Sequence, residues 1–95
     1  MTIGILGGGQ LGRMLALAGY PLGLQFKVFD PSSEAVAGQI APLLAEDIND
    51  TPALLWFSKG LDAVTYEWEN VPVQSARYLE QRAPVFPPPK ALEIA

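Results

Sequence analysis

The chain opens with a short apolar run, Thr2-Ile3-Gly4-Ile5-Leu6, that leads directly into Gly7-Gly8-Gly9-Gln10-Leu11-Gly12-Arg13-Met14-Leu15. This order reads as a buried strand, a tight turn and the first turn of a helix. Glycine lets backbone approach a ligand closely, and a helix N-terminus presents unpaired N–H groups at the positive end of its dipole. A phosphate or another anion is the expected guest. Gly7, Gly9 and Gly12 fit the G-x-G-x-x-G spacing of a dinucleotide site, and Asp30 lies near where a nicotinamide site places its ribose-binding acid. The same glycines also suit a plain strand–helix turn, and Asp30-Pro31 also suits a routine turn or cap.

Further along, strand and helix patterns alternate. A helix from Gln10 carries Leu11, Met14, Leu15, Ala18 and Leu22 at helical spacing, with Pro21 and Gly23 as its stop. Gln25–Phe29 reads as a second strand, residues 32–42 as a loop with a short helix, and Leu43–Ala45 as a weak third strand. Asp50 or Thr51 caps a helix with Pro52 in its first turn, Leu54, Leu55 and Phe57 as core candidates, and Gly60 as its end. Leu61–Tyr66 reads as a fourth strand, Asn70 as the cap of a helix carrying Val73, Ala76 and Leu79, and Pro84–Phe86 as a fifth strand. Pro87–Pro89 lead into a helical start at Lys90–Ala95. The expected fold is α/β: a doubly wound, parallel five-stranded sheet forming one small Rossmann-like domain over residues 1–95.

Composition removes several kinds of chemistry. The 95 residues contain no cysteine and no histidine, which excludes disulfides, thiol catalysis and the commonest general base and metal ligand. A net charge of −4 without a basic cluster gives nucleic-acid binding no electrostatic support. There is no apolar run long enough for a signal peptide or a membrane helix, so no membrane association and a cytoplasmic location are expected. With 49% apolar residues the chain can form a core.

In an open parallel sheet, ligands sit at the carboxyl ends of the strands where the strand order reverses. With order 3-2-1-4-5 the Gly7–Gly12 turn and the segment Tyr66-Glu67-Trp68-Glu69-Asn70 meet at one crevice. The turn would offer amides to an anion, and the second segment carboxylates to hydroxyls or amines. A phosphorylated sugar carrying an amine fits both. Glu67 and Glu69 are equally readable as solvated acids at a strand end, and Arg13 as a phosphate contact or a solvated helix residue. Trp56, Phe57 and Trp68 read as packing residues.

Four segments together carry a family resemblance. Gly7–Leu15, Ala37-Gly38-Gln39, Val64-Thr65-Tyr66-Glu67-Trp68-Glu69-Asn70-Val71-Pro72 and Ala91-Leu92-Glu93-Ile94-Ala95 resemble the N-terminal pre-ATP-grasp domain of N5-carboxyaminoimidazole ribonucleotide synthetases, across the whole chain and in order. Trp68 stands where that family more often has Phe. The resemblance implies an ATP-grasp ligase of purine biosynthesis. ATP and bicarbonate give carboxyphosphate, and the exocyclic amine of 5-aminoimidazole ribonucleotide is then carboxylated. It further implies that Gly8, Gly9, Gln10, Leu11 and Glu67 contact the ribonucleotide. ATP and Mg2+ would belong to an ATP-grasp domain following Ala95. No catalytic, cofactor-binding or metal-ligating residue is assigned to these 95 residues, which are expected to be inactive alone. Apolar surface around Ala91–Ala95 makes a second copy a candidate partner, beside the ATP-grasp domain. Two other functions compete: a nicotinamide- or flavin-binding domain of an oxidoreductase, and a small anion-binding module.

Overall fold

The computed structural model describes residues 1–68 and 71–86. Five parallel strands, β1 (Thr2–Leu6), β2 (Gln25–Asp30), β3 (Leu43–Ala45), β4 (Ala63–Tyr66) and β5 (Val85–Phe86), lie in the order β3-β2-β1-β4-β5. The reversal between β1 and β4 is the expected switch point. Register pairs Leu6 with Phe29 on one side and with Tyr66 on the other, which sets the carboxyl ends of β1, β2 and β4 side by side.

Alternation along the central strands divides the core in two. Leu6, Phe29 and Val64 face helices α2 (Thr51–Ser58) and α3 (Val73–Glu80), where Leu54, Phe57, Ala76 and Leu79 complete one buried cluster. Phe29 and Phe57 meet edge to face at 5.3 Å. Ile5, Phe26 and Val28 face α1 (Gln10–Gly19) and a 3-10 turn at Val36–Gln39, closing a second cluster with Ala16 and Ala37. Among the described residues, this second side stays open over β4 and β5. An apolar trough of about 360 Å³ there is bordered by Ile3, Leu15, Leu22, Leu24 and Phe86.

The helix after the Gly turn does not bury its leucine–methionine stripe. Leu11, Met14 and Leu15 are exposed, the helix ends at Gly19 so that Leu22 lies exposed in a separate 3-10 turn at Tyr20–Leu22, and the residues against the sheet are Gly12, Ala16 and Gly19. Close approach explains the choice. A Cβ at Gly12 would stand 2.7 Å from the Gly7 carbonyl oxygen, and one at Gly19 would run into the Phe26 ring. A second helical stripe of small residues lets backbone pack on backbone, which large side chains forbid.

Other boundaries shift for local reasons. Leu61 is buried but belongs to the turn after α2, donating its N–H to the Ser58 carbonyl, so β4 starts at Ala63. β2 runs one residue further, through Asp30. Leu55 is half-buried and Trp56 is exposed, with the Lys59 ammonium 5.1 Å from its ring centre. Pro72 stands at the N-cap of α3, and the expected cap at Asn70 lies outside the described residues, as do Glu69 and everything from Pro87 onward. Of the two candidate caps for α2, Asp50 fills the role: its Oδ1 accepts the Ala53 N–H at 3.1 Å. Asp50→Ala should therefore cost about 1 kcal/mol, lowering Tm by roughly 4–8 °C, while Asp50→Ser stays close to wild type in the same thermal melt.

Candidate ligand-binding crevice at the switch point

The carboxyl end of β1 is shared between its neighbours. The Gly7 N–H donates to the Phe29 carbonyl of β2, and the Leu6 carbonyl accepts the Glu67 N–H at the end of β4. Gly7 turns the chain with φ +108°, a conformation open to glycine, and a Cβ there would press on Glu67 Cγ at 2.5 Å. That turn brings the next residues over the end of β4.

An anion does sit on the helix N-terminus, and it belongs to the protein. Glu67 spans the first turn of α1: Oε1 accepts the Gly9 N–H and Oε2 the Gly12 N–H, each at 2.6 Å. Such charge-assisted bonds are short and strong, and the carboxylate lies where the helix dipole favours negative charge. Asp30, at the end of β2, takes a third amide: its Oδ2 accepts the Gly8 N–H at 2.8 Å. The two loops at the switch point are thus joined to each other. The expected division, amides on one side for an external anion and free carboxylates on the other, is replaced by carboxylate bound to amide.

Two consequences follow for chemistry. A dinucleotide pyrophosphate would need the Gly9 and Gly12 amides that Glu67 holds, and would meet the charge of that carboxylate. Asp30 has the loop-anchoring and turn geometry, with Oδ1 on the Ser32 N–H at 2.8 Å. What remains open beside the clamp is a cleft of about 230 Å³ bordered by Ile5, Leu11, Leu15, Tyr66 and Glu67. Leu11 is exposed at its edge and Gln10 is exposed one residue before it, and among the described residues nothing accepts a bond from their backbone amides. Each Glu67 oxygen retains a lone pair beyond the one its amide uses.

Of the five residues expected around the ligand, Leu11 and Glu67 border this cleft, Gly9 is bonded to Glu67, Gly8 is held by Asp30 with its α-carbon toward Ala35 and Val28, and Gln10 is exposed at the start of α1. Arg13 is half-buried on α1, and its buried Nε has no hydrogen-bond partner among the described residues. Phe57 is a core residue and Trp68 packs beside Gly7. The supporting role of Ala37 carries no sequence signal by itself; its N–H donates to the Gly8 carbonyl at 2.8 Å. Among the described residues, no helix is long and apolar enough to cross a membrane.

An open parallel sheet with a carboxylate-capped glycine turn at its switch point defines a Rossmann-like α/β domain. The sequence profile named ribonucleotide synthetase preATP-grasp domain matches residues 1–95. N5-carboxyaminoimidazole ribonucleotide synthase of Pseudomonas aeruginosa is 44% identical over 95 residues, covering 100% of this chain and 26% of the relative. The crystal structure of N5-carboxyaminoimidazole ribonucleotide synthetase from Thermus thermophilus matches with a TM-score of 0.94 at 66% identity, over 98% of this chain and 26% of the other. N5-carboxyaminoimidazole synthetase of Staphylococcus aureus, solved in complex with ADP, matches at 0.87 and 33% identity, over 96% and 25%. The chain belongs to the ribonucleotide synthetase preATP-grasp domain family. It spans about a quarter of the length of these relatives.

Proposed function

We propose that this domain binds 5-aminoimidazole ribonucleotide for an ATP-dependent ligase that carboxylates its exocyclic amine in purine biosynthesis. The observation that carries the reading is the Glu67 carboxylate, fixed by the Gly9 and Gly12 amides at the rim of the switch-point cleft. Its remaining lone pairs would accept from ribose hydroxyls or the amine, with Leu11 bordering the same cleft. The charge of Glu67 already answers the positive end of α1, so a second anion there is disfavoured. The ligand should therefore present its hydroxyl and amine side to this loop, and its phosphate elsewhere. Names of relatives support the substrate class, and relatives solved with ADP support ATP use by the longer enzyme.

In this reading ATP and Mg2+ are held by an ATP-grasp domain joined to this one. Carboxyphosphate formed from ATP and bicarbonate would be attacked by the amine nitrogen, with phosphate leaving. The 95 residues supply grip and orientation, which raise the effective concentration of the amine at the reacting carbon. They show no Gly-Lys-Ser/Thr phosphate loop and would turn over no ATP alone.

A thermal-shift series on the chain tests this. A ligand that binds only the folded state raises stability in proportion to its occupancy. Aminoimidazole ribonucleotide should raise Tm, whereas NAD and inorganic phosphate should not. A shift by NAD that Asp30→Ala removes would establish the oxidoreductase reading instead. A shift by phosphate alone would reduce the domain to an anion-binding module.

A further inference from the structure

We propose that Asp30 is a positioning residue for ribonucleotide binding, acting on Glu67 through Gly8 and the Gly9 N–H that follows it; this rests on the functional reading above. A residue that only made a turn would need its Oδ1 on the Ser32 N–H and nothing more. Asp30 also reaches back across 22 residues to hold the Gly8 N–H with Oδ2, so both of its oxygens are engaged. Gly8 is fixed at its other end as well, where its carbonyl accepts the Ala37 N–H at 2.8 Å. Its α-carbon is closely packed as well: a Cβ would lie 2.8 Å from the Ala35 Cβ and 3.1 Å from Val28 Cγ1.

The next N–H along the chain, that of Gly9, is the one that holds Glu67 Oε1. One residue, Gly8, thus joins the peptide that Asp30 grips to the peptide whose N–H grips Glu67. The placement of Gly8 sets where the Gly9 N–H points, and that direction sets the carboxylate. Gln10 and Leu11 follow immediately, so the same anchor also places their amides. Freed from Asp30, the Gly7–Gly8 peptide could tilt and shift Gly8, and with it the Gly9 N–H, so that Glu67 would lose the alignment of its remaining lone pairs without leaving the crevice.

The test uses the complete ligase with Asp30→Asn, Glu67→Gln and the double variant. KM for aminoimidazole ribonucleotide, KM for ATP, kcat and Tm are read for each. Asparagine keeps the shape of Asp30 but places an NH2 group against one of its two N–H partners. For Asp30→Asn the ribonucleotide KM should rise about tenfold with the ATP KM within about twofold of wild type, as small misplacements of binding groups produce. The double variant should show a ribonucleotide KM no higher than Glu67→Gln alone, because residues acting through one contact do not add. Multiplying effects would overturn the proposal, as would a lowered Tm with unchanged KM, which would leave Asp30 a turn residue. If Glu67→Gln itself leaves the ribonucleotide KM unchanged, the functional reading fails, and the Asp30 proposal with it.

Discussion

Glu67→Leu is expected to destabilise the fold by about 3 kcal/mol, because two charge-assisted hydrogen bonds of roughly 1.5–3 kcal/mol each disappear and leave their donors behind. Gly12 is buried, so its N–H would lose Glu67 Oε2 with little access to water, while the half-buried Gly9 N–H can be partly rehydrated. That asymmetry places the estimate at the lower end of the sum. For a domain of this size the Tm should fall by well over 10 °C, at roughly 4–8 °C per kcal/mol. Glu67→Gln should fall between, since its carbonyl oxygen can serve one amide while its NH2 group faces the other. Urea unfolding followed by tryptophan fluorescence measures both variants; Trp68 packs against Gly7 and reports the region directly. A loss under about 1 kcal/mol for the leucine variant would mean that the clamp contributes little to the fold.

Gly12→Ala tests the packing of the same turn through the sign of its effect. In an open helix interior alanine is favoured over glycine by about 1 kcal/mol. Here the added methyl would stand 2.7 Å from the Gly7 carbonyl oxygen and 3.5 Å from both Glu67 Oε2 and Ile5 Cγ2. The nearest atom is backbone and cannot rotate away. Separating α1 from the turn would also stretch the Gly12–Glu67 bond. A net loss of about 2–3 kcal/mol is expected, as for other overpacked sites. Calorimetry showing a neutral or stabilised Gly12→Ala protein would sink this account of why α1 lies on its small-residue face.

Much of the architecture was legible because it rests on local rules. Alternating strands and helices predict the parallel sheet, and the apolar start followed by three glycines predicts the turn between β1 and α1. The strand order then brings residues 7–12 to Glu67, as the structure shows. Two features were not legible, for different reasons. Periodicity along α1 offers two stripes, Leu11-Met14-Leu15-Ala18-Leu22 and Gly12-Ala16-Gly19, and hydrophobicity alone favours the first. Only the distance between helix and sheet decides for the second, and that distance is a tertiary quantity. The identity of the anion was hidden similarly. A glycine turn announces unpaired donors, but their acceptors lie on other strands, at Asp30 and Glu67. The strand order contained the missing signal: acids at the ends of both strands flanking β1 are the nearest charged groups to its turn.

The span of the clamp in sequence bears on how the molecule is made. Glu67 stands 58 positions after Gly9 and 55 after Gly12. A chain emerging from the ribosome delivers the glycine turn more than 50 residues before the group that shapes it. Until β4 docks, the first turn of α1 has water for its acceptor, and closing so long a loop costs entropy that the sheet must offset. The crevice therefore does not form as a local device later embedded in a fold. It comes into being only once β4 pairs with β1, so a molecule able to hold a ligand there has already joined the two strands at the switch point.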